Sequence, residues 1–502
     1  MDYESKFNQL NEILAEVIDL NTAAGLLGWD QQVNMPPGGA EGRGYQLGTL
    51  ARLALVKLTS PEVGHLLDEL EPYAAGLDPD SDIARTIKVA RRLYDKQVKV
   101  PPAWLVEFTQ LITQAHGVWA KARAENDFAS FQPWLERIVD MRRGYASFFA
   151  PYDHIYDPLL DDFEPGMKTV EVKEIFEAIR PQQVALIQAI AQRPQVDDTC
   201  LHQHFDEQKQ WDFGVEVLTK TGYDWTRSRQ DKAAHPFTSG GSNWDVRITT
   251  RVDPNFLNTC LFGTLHESGH ASYELGVDSR FNRTALAGGT SMAVHESQSR
   301  MWENLIGRSL PFWQFFYPRL QQYFPAQLGN VPLDVFYKAI NRVQPSLIRV
   351  EADEATYNLH IMLRLEIEIA LMEGSLAVKD LPEAWNSRMQ EYLGLTPPND
   401  TLGVLQDVHW SGGLIGYFST YALGNLVSAQ LWEHINADLP DLDAQIRNGE
   451  FSTLRGWLVE KIHSQGAKFE PQELIQRVTG SKINPDAYMH YLRGKYGSVY
   501  GL

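Results

Sequence analysis

Between Glu351 and Met372, Leu359, Leu363, Ile367 and Leu371 recur at four-residue steps, and Ile361, Leu365 and Ile369 form a second row. At about 100° per residue the two rows lie roughly 200° apart, so a helix here is apolar on two faces. Only the interior of a wide helical assembly covers both. The rest of the chain agrees: Ser5 to Asp19, Ser81 to Val98, Phe131 to Phe149, Val170 to Ala191 and Glu207 to Thr221 all carry apolar residues at three- and four-residue steps. Breakers such as Met35-Pro36-Pro37-Gly38-Gly39, Pro101-Pro102, Gly329 to Pro332 and Pro397-Pro398-Asn399 are too short for flexible interdomain linkers. A mainly α fold follows, with residues 1–502 expected to form one large catalytic domain, split at most into two lobes beside a groove. The exception is His235 to Val252, where Val246, Ile248 and Thr250 alternate with Asp245, Arg247 and Thr249 after Gly240-Gly241, a period of two that predicts a hairpin or small sheet.

Composition limits the partners. Hydrophobic residues at 43% and charged ones at 22% suit a globular chain, and 64 acidic against 45 basic side chains give a net charge of −19. Nucleic acid and acidic membranes are repelled by that balance. Cys200 and Cys260 are too few for a disulfide framework, and residues 1–10 lack the basic head and apolar run of a secretory signal, so a cytoplasmic location is expected. Val408 to Trp432 has no charged side chain over 25 residues, yet its glycines, serines and amides oppose a membrane span. A buried helix facing a cleft is the expectation there.

The chemistry is concentrated in His266-Glu267-Ser268-Gly269-His270. Histidines four residues apart share one helix face and can reach one Zn²⁺, while Glu267 lies about 100° around the helix, off the ligand face but within reach of a water at that metal. That is where a general base belongs. Cys260 to Tyr273 has helical spacing that would hold the pair rigidly. Catalytic zinc takes three protein ligands and leaves a position for water. The metzincin extension fails, because Tyr273 stands where Gly is required and Gly276 where the third His should be. Glu296 is the preferred third ligand, on a second helix that Thr290 or Ser291 would cap after the Gly288-Gly289 turn and that runs through Trp302. Glu274 competes, although from the same helix it is better placed to accept a hydrogen bond from a ligand.

Glu296 falls in His295-Glu296-Ser297-Gln298, and with this pair of motifs the chain resembles the carboxypeptidase Taq family of zinc metallocarboxypeptidases. Trp29-Asp30-Gln31, His235-Pro236-Phe237, Asp245-Val246-Arg247-Ile248-Thr249, Ile348-Arg349-Val350-Glu351-Ala352-Asp353 and Gly403 through Gln406-Asp407-Val408-His409-Trp410 extend the resemblance along the chain. It implies a saddle-shaped helical subunit with a deep groove and a small sheet beside the zinc helix. It further implies a homodimer, one Zn²⁺ per subunit replaceable by Co²⁺, and release of single residues from peptides with a free C-terminus.

The remaining groups fit that chemistry. A free α-carboxylate calls for a planar, permanently charged fork, and Arg349, expected to open the central helix, is the candidate, with a structural pair to Asp353 as the alternative. Arg247 and His235 are candidate substrate-binding residues beside the predicted strand, where a peptide backbone could add by edge pairing. Tyr421 and His409 are alternative donors to a tetrahedral intermediate. The rivals are an endopeptidase or aminopeptidase with the same ligands, and a non-catalytic helical protein whose metal is structural.

Overall fold

In the computed structural model, which describes residues 2–240 and 242–502, the chain is helical apart from a three-stranded sheet. Helices lie where the apolar periodicity places them: Asp82–Val98, Phe128–Ser147, Thr169–Ala191 and Glu207–Thr221 differ from the expected limits by a few residues. The first helix is much longer than expected, Tyr3–Val33, because its second half continues past the apolar stripe and pairs with the helix Ala40–Leu58. The chain divides into two compact units, one of Met1–Val98, Asp197–Ile340 and Leu431–Gly480, the other of Lys99–Val196, Asn341–Gln430 and Ser481–Leu502.

In the first unit, Leu10 and Leu14 of the first helix pack with Val63, Leu66, Leu67 and Leu70 and with Ile87 and Ala90. Fully burying each leucine, isoleucine or valine among them stabilises the fold by about 1.5–3 kcal/mol before entropy is counted. Strand β1 is Ser228–Lys232, β2 Thr238–Ser239 and β3 Val246–Thr250, in the order β1-β3-β2. The expected hairpin is the antiparallel pair β2 and β3, with Thr238 opposite Ile248. Gly241, part of its expected turn, lies outside the described residues. β1, parallel to β3, was not expected, since Ser-Arg-Gln-Asp-Lys has no apolar alternation. Thr249, which alternates with the apolar row of β3, is also fully buried, and its hydroxyl accepts from Phe237 N–H at 2.9 Å.

The second unit is built around Glu354–Glu373, in which both apolar rows are buried. Helices Phe128–Ser147, Thr169–Ala191 and Leu381–Leu393 pack against it. Asp353 caps this helix by accepting from Ala355 and Thr356 N–H, so the Arg349–Asp353 pair does not form. Arg349 sits before the helix, in a 3₁₀ turn of residues 349–351. The uncharged stretch is also corrected. Residues 408–418 form a 3₁₀ turn and loops, and the helix begins only at Ser419, because Gly413 and Gly416 adopt φ of +68° and +104°. Gly416 packs on the backbone of Leu159, leaving no room for a Cβ. Among the described residues, no helix is long and apolar enough to cross a membrane.

Candidate metal centre and carboxylate site

The helix Leu257–Gly276 carries the histidine pair, with Leu257, Leu261, Phe262 and Leu265 buried to anchor it. Ser291 caps the helix Met292–Arg300 by accepting from Val294 N–H, and this helix carries Glu296. The two helices touch at Gly269. A Cβ there would lie 2.5 Å from the carbonyl oxygen of Gln298 and from Cα of Ser299, so only glycine lets Glu296 come this near the histidines.

His266 Nε2 lies 3.5 Å and His270 Nε2 3.3 Å from Glu296 Oε2, and one ligand atom from each of the three residues falls within 4.8 Å of the others. The remote ring nitrogens are engaged. His266 Nδ1 donates to Glu303 Oε2 at 2.9 Å, and His270 Nδ1 lies 3.0 Å from His295 Nδ1, whose Nε2 donates to Glu274 Oε1 at 2.6 Å. These partners engage the far ring nitrogens and turn both Nε2 atoms inward, the orientation that metal ligation requires. Arg300 Nε donates to Glu296 Oε1 at 2.7 Å, leaving Oε2 for the centre.

Electrostatics select for a cation. Burial works against charge on His266, yet Glu296 and Glu303 outweigh it and hold the imidazole up to about 8. Burial opposes ionisation of Glu303 too, but Arg300 and His266 pull it down to about 2. Glu296 lies still lower, against the same burial, through Arg300 and both histidines. Two inward imidazole nitrogens and an ionised carboxylate are a donor set that a divalent metal fits.

Glu267, on the same helix, faces the sheet, where Thr238 Oγ1 lies 2.7 Å from its Oε2. Around it, Arg247 is spent on neighbours: its fork holds Asp245 at 2.7 and 2.9 Å and its guanidinium lies 4.3 Å from the ring of Trp29. Arg229 stacks on the same indole at 4.9 Å. His235 is exposed on the segment entering β2.

In the second unit, Arg349 and Arg364 converge on one carboxylate. Asp407 Oδ1 accepts from Arg349 Nε at 3.0 Å and Oδ2 from Arg364 Nε at 2.7 Å. Arg349 Nη1 donates to Tyr357 at 2.9 Å, and among the described residues no hydrogen bond engages Nη2. Burial opposes ionisation of Asp407, and the two guanidiniums hold it below the usual carboxylate range. Two buried cations against one anion leave one positive charge in excess. His409 adds none, since burial lowers its imidazole to about 4, outweighing the attraction of Asp407. His409 Nε2 lies 3.2 Å from the Tyr421 hydroxyl, and Arg349 stacks over the Tyr421 ring at 4.9 Å.

A profile of the carboxypeptidase Taq (M32) metallopeptidases matches residues 9–496. The chain belongs to that family. It is 41% identical to thermostable carboxypeptidase 1 of Thermus thermophilus over the whole of both chains, and 38% identical to carboxypeptidase 1 of Bacillus subtilis over 99% of each. The crystal structure of the M32 carboxypeptidase from Deinococcus radiodurans superposes with a TM-score of 0.96 at 40% identity, over 99% of this chain and all of that one. The family's members are peptide hydrolases that use a metal ion.

Within this M32 chain, the structure brings His266, His270 and Glu296 together and sets Glu274 one residue away, behind His295. Tyr421 and His409, read as alternatives, are hydrogen-bonded to each other. Sequence reasoning missed Glu303, Thr238 and Arg364. Glu303 was findable, standing seven residues after Glu296 and so on nearly the same helical face. The helix expected to run through Trp302 instead widens into a π-helical turn, Met301–Ile306, that holds Glu303. Thr238 and Arg364 had no local signal.

Proposed function

We propose that this M32 metallopeptidase is a zinc carboxypeptidase that removes single residues from peptide C-termini. The observation that carries it is the convergence of two Nε2 atoms and Glu296 Oε2, with each histidine's far nitrogen already occupied. His266, His270 and Glu296 would hold one Zn²⁺, for which Co²⁺ can substitute, since three protein ligands of this type with a position left open are the catalytic zinc pattern. Such an ion supplies Lewis acidity toward water and the scissile carbonyl. Glu267 takes the proton of the water as its oxygen bonds to the carbonyl carbon, then passes it to the nitrogen as the C–N bond breaks.

Recognition is assigned to the Arg349 cluster. Arg349 binds the substrate's terminal carboxylate through Nη2, and the excess positive charge of the Arg349–Arg364–Asp407 set is what that anion neutralises. Arg364, fully buried, acts by holding Asp407. The Tyr421 hydroxyl, poised by His409, donates to the developing oxyanion. β2 is an edge of the sheet beside Glu267, so a substrate backbone can pair there, with His235 and Arg247 on the flanking segments. A homodimer in the cytoplasm completes the reading and is checked by light scattering and fractionation.

The test is one peptide as free acid and as C-terminal amide, with products identified by mass spectrometry. A carboxypeptidase releases the last residue from the acid and largely spares the amide. Internal fragments establish an endopeptidase, and equal release of the first residue from both establishes an aminopeptidase.

A further inference from the structure

One face of the helix Leu257–Gly276 is tied to the sheet by hydroxyl groups. Thr264 Oγ1 donates to Thr250 Oγ1 at 3.1 Å and accepts from Gln230 Nε2 at 3.1 Å. Glu267, three residues on and so on the same face, meets Thr238, whose Oγ1 lies 2.7 Å from the Glu267 Oε2 and 3.1 Å from its backbone carbonyl oxygen. One hydroxyl has one proton to give, and the carboxylate is both the nearer and the charged acceptor. Thr238 is itself held firmly. It pairs with Ile248 in the β2–β3 ladder, and the next side chain, Ser239, donates to the Gly25 carbonyl at 3.3 Å. Among the described residues, no hydrogen bond to Glu267 Oε1 accompanies these.

We infer that Thr238 is a positioning residue for the hydrolysis: its hydroxyl clamps Glu267 Oε2, so that Oε1 is the oxygen presented to water. The inference rests on Glu267 acting as the base. A glutamate has three side-chain torsions, and a carboxylate free to turn spends most of its time with neither oxygen aimed at the proton it must take. A donor on a strand fixed at both ends removes that freedom, and it leaves one oxygen unencumbered. Substrate binding does not involve this bond, so its loss appears in kcat and not in KM.

The experiment compares Thr238→Val, Thr238→Ser, Glu267→Gln and the Thr238→Val/Glu267→Gln double variant, each assayed for kcat, KM, metal content and thermal midpoint. Valine keeps the shape and strand preference of threonine and deletes only the donor. Thr238→Val should lower kcat by about 10- to 100-fold, the range expected for a hydrogen bond to a charged group, with KM and metal content unchanged. Thr238→Ser should restore most of it. In the Glu267→Gln background, Thr238→Val should have no further effect on turnover. If Glu267→Gln is inactive while Thr238→Val turns over within about twofold of the parent, the base stands and the role of Thr238 falls. If Thr238→Val loses metal, or lowers turnover as much in the Glu267→Gln background as in the parent, its role is structural and the inference is overturned. A Glu267→Gln variant that stays active removes the base itself.

Discussion

The two units bury opposite charge. Around the histidines the acids predominate, with Glu267, Glu274, Glu296 and Glu303 set against Arg300 and Arg308, and Glu296 and Glu303 lift His266 to about 8 against its burial. Around Asp407 the bases predominate, and Arg349 keeps an uncommitted Nη2. Unbalanced buried charge is costly, so in the proposed reading each excess is met on binding, by a cation in the first unit and an anion in the second. The centres also differ in how they are assembled. The first lies on two consecutive helices touching at one glycine, whereas the second is gathered from residues 349, 364, 407 and 421 on four separate elements.

Removing the cation should break the first unit's function and spare its fold. Chelation is expected to abolish activity entirely while circular dichroism keeps its helical signal, because a chain of this length buries about 75% of its unfolded surface and one metal is a minor part of that. Zn²⁺ or Co²⁺ should restore turnover. Loss of most helical signal on chelation would make the metal structural and erase the contrast between the units.

Removing the anion's partner tests the second unit. Arg349→Ala should reduce kcat/KM on free-acid peptides by roughly 30- to several thousand-fold, since truncating one member of a desolvated charge pair costs about 2–5 kcal/mol. Amidated peptides never make that pair, so their slow cleavage should change little. Equal losses on acid and amide would assign Arg349 to structure instead.

The outer partners give smaller effects. Glu303→Gln removes the charge that accepts from His266 Nδ1 and should weaken metal binding about 10- to 100-fold, read by competition with a chelating dye. Unchanged affinity would show that Glu303 serves only Arg300 and Arg308. Gly269→Ala sets two quantities in opposition. Alanine gains about 1 kcal/mol in helix propensity, yet its Cβ meets backbone that cannot turn aside, an overpacking cost of about 1–3 kcal/mol. The thermal midpoint should therefore fall, and metal affinity with it as Glu296 is pushed back. A rise would mean that the helices part without cost.

Much of the first centre was legible because helical spacing is a local rule. His266 and His270 share a face whatever surrounds them, and Ser291 caps the next helix with its own hydroxyl. The rows of Leu359 to Leu371 and Ile361 to Ile369 likewise determined a helix covered on both sides, since apolar faces require cover. Tertiary structure decided the rest. β1 has no apolar alternation and exists because β3 offers it a ladder. Residues 408–418 leave the helix because Gly416 must lie against Leu159. Arg349 turned from the nearby Asp353 to the distant Asp407, since Asp353 was already taken by backbone N–H groups and Asp407 was buried with Arg364. Spacing along a chain fixes which side chains share an element's face. Which charges meet across elements depends on what burial leaves unpaired, and that exists only once the elements have packed.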